Sequence, residues 1–105
     1  MNYYLITAFV KAIKAKKEVK TFKDLEFNPH PSGIGGVQAR IQFENGYGAS
    51  VVIGPNTYGG DSGLYELAVL DSDGKLTYAT PITDDVIGYL RPEDVTDVLA
   101  KIQQL

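Results

Sequence analysis

His30, the chain's single histidine, stands between Pro29 and Pro31, and the glycine-rich run SGIGG follows it on the way to Arg40. Each residue type here can do chemistry. A histidine can serve as a base, a metal ligand or a pH-sensitive group, and flanking prolines stiffen the backbone that carries it. Gly33, Gly35 and Gly36 lack a Cβ, so a ligand can come close to the backbone there. Arg40 offers a planar fork of donors suited to a phosphate or carboxylate. Farther along, Glu66 interrupts the apolar run LYELAVL, and Tyr58 lies in the loop GPNTYGGDSG. A loop tyrosine presents a flat apolar ring and a hydroxyl, suited to stacking a base or anchoring a partner protein. His30, Gly33, Gly35, Gly36, Arg40, Tyr58 and Glu66 are therefore the candidate binding residues.

None of them has the company that catalysis requires. The glycines of SGIGG precede a strand pattern, whereas the dinucleotide fingerprint needs a strand before it and a helix after it. No Gly-Lys-Ser or Gly-Lys-Thr occurs for a phosphate loop. With no second histidine, no cysteine and no serine elbow, His30 has neither the partners of a zinc site nor those of a triad. Glu66 has no second carboxylate tied to it and is expected to be paired, with Arg40 as one partner. DSDG, Asp71 to Gly74, opens like a calcium loop but lacks the later ligands, and reads as a hairpin turn. No catalytic residue, metal or cofactor is expected, and the chain reads as a non-enzyme.

The elements that position these residues follow from hydrophobic periodicity. Leu5, Ala8, Phe9, Ala12 and Ile13 recur at spacings of three and four, which predicts an amphipathic helix over about residues 2 to 17. The prolines at 29 and 31 exclude a helix from the segment that follows. From Val37 the period becomes two: Val37, Ala39, Ile41 and Phe43 alternate with Gln38, Arg40 and Gln42. A three-residue Glu44-Asn45-Gly46 loop pairs Ile41 with Ala49, Ala39 with Val51 and Val37 with Ile53, keeping one face apolar. Arg40 then sits mid-strand on an open polar face. Leu64 to Leu70 reads as a central strand, DSDGK as a turn and LTYAT as its partner. Thr83 is expected to cap a short helical turn through Ile87, ended by Gly88. PEDVTDVLAKIQQL, with proline in its first turn and Val95, Val98, Leu99 and Ile102 on one side, is a C-terminal helix. The expected fold is α+β: a four-stranded antiparallel sheet of two hairpins, with N- and C-terminal helices packed on one face.

Composition bounds the remaining choices. At 105 residues, 44% hydrophobic and 22% charged, residues 1 to 105 suit one globular domain. No apolar run reaches the roughly 18 to 20 residues of a membrane span, and YYLITAFV leads into lysines with no cleavage pattern, so a cytoplasmic protein is expected. The net charge of −3 conceals an asymmetry: the first 23 residues carry +5 and the rest −8. The lysines can form a solvated helix face, or a surface for an acidic partner. Nucleic acid is not an expected partner, because the C-terminal helix opens with Glu93, Asp94 and Asp97, which repel phosphates. An unpaired edge strand leaves a homodimer open.

HPSGIGGVQARIQFENGYGASVV, GLYELAVL and TPITDDVIGYL together resemble a family of small bacteriophage proteins of uncharacterised function. The resemblance runs from about Phe22 to Leu105, leaving the basic helix of residues 1 to 20 outside it. It implies a phage product acting in the cytoplasm of the infected host and supplies no catalytic residues. By analogy with small accessory phage proteins, the expectation is a binder that engages a host protein, in host takeover or counter-defence. The alternative is a sponge for a nucleotide or other small anionic signalling molecule, using the glycine loops with Arg40 and His30.

Overall fold

The computed structural model describes residues 19 to 33 and 35 to 105; the N-terminal helix expected over residues 2 to 17 lies outside them. Five strands form one antiparallel sheet in sequence order: β1 (Asn28–Pro29), β2 (Val37–Gln42), β3 (Gly48–Ile53), β4 (Tyr65–Leu70) and β5 (Ile87–Leu90). The helix α1 (Pro92–Ile102) packs on one face. The fold is therefore α+β.

The first hairpin has the register its alternation dictates. Val37 pairs with Ile53, Ala39 with Val51 and Ile41 with Ala49. Phe43 N–H donates to Tyr47 O across 2.7 Å, and Gly46 takes the left-handed φ of +93° that a three-residue loop needs. Asn45 at the tip ties this hairpin to the helix, since its Nδ2 donates at 2.8 Å to Ile102 O, a helix-end carbonyl that also accepts from Leu105 N–H.

The sheet has five strands rather than four, and its last strand comes from a different segment than LTYAT. Leu76 makes one bridge to Leu70, and Thr77 N–H donates to Val69 O, before the chain leaves the sheet. Residues 83 to 87 are not helical either. Thr83 Oγ1 accepts from Asp85 N–H at 3.1 Å and Asp85 Oδ1 from Val86 N–H at 2.7 Å, local bonds that compete with a helical turn. Ile87–Leu90 instead pairs with β4, with Leu67 opposite Ile87 and Tyr65 opposite Leu90. Two steps on β4 face three on β5, so β5 carries a bulge. That extra residue lets Ile87 and Leu90, three apart, both turn toward the core. On the opposite edge β1 ends in Pro29, which an edge strand tolerates because no ladder bond needs its missing N–H.

The core lies between the sheet and α1. Ala49, Val51, Leu67, Val69, Val95, Leu99 and Ile102 are fully buried there. Phe22, Phe27 and Tyr65 extend it, with ring centroids 5.1 to 5.8 Å apart. Lys20 to Phe27 include a 3-10 turn, Phe22–Asp24, and are clasped to α1: Phe22 N–H donates to Thr96 Oγ1, while Gln103 exchanges hydrogen bonds with the backbone of Lys20.

Candidate functional site

His30 follows directly on β1 and is bound into its own loop. Its N–H donates to Gly36 O at 3.0 Å, its carbonyl accepts from Gly33 N–H at 3.2 Å, and its Nδ1 accepts from Ser32 N–H at 3.1 Å. Ser32 Oγ lies 2.8 Å from the same nitrogen. A neutral ring that accepts at Nδ1 carries its proton on Nε2. The half-buried imidazole borders a cleft of about 150 Å³ together with Gly35, Ile53, Gly54 and Asn56.

The glycines around this cleft are filled by backbone. A Cβ on Gly36 would lie 2.7 Å from Ile53 O, and one on Gly54 would lie 2.6 Å from Gly36 Cα. The two segments meet backbone to backbone, an approach no side chain allows. Gly54 also opens a type II turn in which Pro55 and the left-handed Asn56 (φ +68°) occupy the central positions, closed by Thr57 N–H on Gly54 O. Gly33 and Gly35 take positive φ beside this contact.

Arg40 is on the polar face, as its strand position requires, and is exposed, but its guanidinium is engaged within the fold. The turn after β4 folds across it, and Arg40 Nη2 donates to Gly74 O. Gln42 works in parallel: its Nε2 donates to Asp71 O at 2.9 Å. To reach that carbonyl the Gln42 side chain crosses β3 over Gly48, where a Cβ would stand 2.8 Å from Gln42 Oε1. Ser50, Ala68 and Leu70 on this face are buried. Glu66 lies opposite Val52 on β4, half-buried, and its carboxylate makes no hydrogen bond or ion pair to the described residues. The expected Arg40–Glu66 pair does not form, because Arg40 reaches toward the turn beyond β4 instead. Among the described residues the ion pair is Arg91–Asp94, at 3.0 Å.

Tyr58 is exposed in its loop, and the fold sets beside it Tyr89, which the sequence did not single out. Tyr58 O accepts from Tyr89 N–H at 3.0 Å, and a Cβ on Gly88 would collide with Tyr58 Cβ. The loop and the β5 bulge are thus pressed together. Tyr58 is 58% exposed and Tyr89 64%, and neither ring touches another described ring. Tyr89 sits at φ +58°, the left-handed region, which costs a non-glycine residue about 1–2 kcal/mol. The backbone conformation serves the bulge that turns Leu90 into the core, whereas the exposed ring is not what imposes it. The signal for Tyr89 was the apolar spacing of three between Ile87 and Leu90, compatible with a bulged strand as well as with a helical turn.

A larger cleft of about 400 Å³ lies between Lys20, Gln103 and the first hairpin turn, and none of the candidate residues lines it. Among the described residues no cluster of His, Cys, Asp or Glu is placed to hold a metal ion, and no helix is long and apolar enough to cross a membrane. No protein-family model, curated protein or solved structure matches the chain.

Proposed function

We propose that this chain is a non-enzymatic binding protein that engages a partner protein through the surface carrying Tyr58 and Tyr89. The observation behind this reading is the exposure of two adjacent tyrosines, one of them kept in a conformation that glycine would adopt more easily. Tyrosine is enriched where protein interfaces concentrate their binding energy, because it buries a large rigid surface and still offers a hydroxyl. The resemblance to small bacteriophage proteins supplies the context: a host protein, met in the host cytoplasm. Affinity capture from host lysate tests the proposal. A partner retained by the wild type and lost from Tyr58→Ser/Tyr89→Ser supports it, and an identical set of captured proteins refutes it.

The cleft beside His30 favours a second, narrower reading. Its volume of about 150 Å³ falls below the roughly 300–1,000 Å³ of drug-sized ligand pockets, so it suits a phosphate-sized anion better than a whole nucleotide. Calorimetry with inorganic phosphate and with a nucleotide panel tests it; no heat from any member ends it.

A further inference from the structure

Resting on the protein-binding role proposed above, we infer that the Tyr58–Tyr89 surface recognises a lysine- or arginine-bearing segment of its partner. Exposed carboxylates follow Tyr58 and precede Tyr89 in the chain. Asp61, three residues after Tyr58, is exposed, as are Asp84 and Asp85, the latter four residues before Tyr89. Asp71, Asp73 and Lys75 belong to the turn at the other end of β4, and neither Gly54–Gly63 nor Ile82–Leu90 contains a lysine or arginine to offset Asp61, Asp84 and Asp85. The next cation along, Arg91, is already held by Asp94 at 3.0 Å.

Exposed aromatic rings and unneutralised carboxylates select the same kind of ligand. The negative face of a tyrosine ring attracts an ammonium or guanidinium, and a neighbouring aspartate supplies the opposite charge. A nucleic acid could stack on the same rings, but its phosphates would meet the acidic surround. An acidic segment would be repelled in the same way. The backbone at Tyr89 adds to the case: the β5 bulge could be served by glycine, yet it displays an aromatic ring beside Tyr58.

Amide NMR titration of the whole chain with three short peptides of one length tests the inference. One peptide carries lysines and arginines, one glutamates and one only neutral residues. The basic peptide is expected to shift the amides of Tyr58, Asp61, Asp85 and Tyr89, with binding weakened about tenfold or more by high salt or by Asp61→Asn/Asp85→Asn. Tyr89→Gly, which keeps the bulge, is expected to abolish those shifts while leaving the rest of the spectrum in place. No shift, shifts located elsewhere, or an equal response to the acidic or neutral peptide overturns the inference. Concentration-dependent shifts at these residues without peptide also overturn it, by naming a second copy as the occupant. If the basic peptide fails while lysate capture still depends on Tyr58 and Tyr89, the basic chemistry is wrong and the protein-binding role stands; if capture is also unaffected by their substitution, both fall.

Discussion

The backbone N–H of Tyr89 reaches the carbonyl of Tyr58 across 3.0 Å, joining the bulge of β5 to the long glycine-rich loop and presenting both side chains to solvent. This contact converts two separate loop features into one surface. It also separates what the backbone needs at position 89 from what the side chain does there.

Tyr89→Gly is expected to keep or slightly raise stability while removing the binding surface. Relief of the left-handed strain returns about 1–2 kcal/mol, and the added freedom of the unfolded glycine chain takes back roughly 0.5–1. Urea denaturation should therefore show a change between zero and about 1.5 kcal/mol in favour of the variant. A loss of more than about 1 kcal/mol would mean that the ring packs in the fold after all.

The glycines of SGIGG are expected to differ among themselves. Gly33 takes a positive φ with nothing within 4 Å of its missing Cβ, so Gly33→Ala bears only the backbone strain of about 1 kcal/mol. Gly36→Ala adds a clash with Ile53 O and Gly54 Cα, both backbone, and should destabilise by about 2–3 kcal/mol or more. Equal losses in the two variants, measured by denaturant midpoint, would show that the Gly36–Gly54 approach is not rigid.

How much of this was legible in the sequence depends on whether a residue's neighbours are set by periodicity or by long-range folding. Alternation from Val37 to Phe43 and the glycine of the turn were enough to give the β2–β3 register, because a one-residue slip would expose the whole apolar set. The spacing of Ile87 and Leu90 was ambiguous, since a bulge puts residues three apart on one side of a strand just as a helical turn does. The residue types of the glycine runs announced conformational freedom but not what fills the space beside them. Nor did the alternation around Arg40 reveal what it bonds to, because Asp71 and Gly74 reach this face only through the fold of a distant turn.

Arg40 and Gln42 hold that turn together, and their contributions are expected to be coupled. Each gives a hydrogen bond to a carbonyl of the Asp71–Gly74 turn, and each bond contributes about 0.5–1.5 kcal/mol. Once either is lost the turn can move away, so removing the second costs less. Arg40→Ala and Gln42→Ala should therefore destabilise by about 1 kcal/mol singly and by less than the sum together. Strict additivity in the double-mutant cycle would mean that each side chain holds its own carbonyl independently.

The start of α1 gives a pH dependence with a definite sign. Asp94 accepts from the Arg91 guanidinium, with Nε at 3.0 Å and Nη2 at 3.2 Å, and from the Arg91 backbone N–H at 3.0 Å. The side-chain bond foremost, and the backbone bond after it, hold the Asp94 carboxyl below its ordinary value, while the same partnership raises Arg91. A carboxyl whose folded value is depressed stabilises the fold above its unfolded value, and that contribution disappears as pH falls through the folded value. The window thus lies in acid, below the ordinary aspartate value of about 3.9. Asp94→Asn should lower Tm near neutral pH, and its deficit relative to the wild type should shrink as pH is lowered through that window. A deficit that stays constant from neutral pH into strong acid would show that the helix start depends on the shape of the side chain at position 94 and not on its charge.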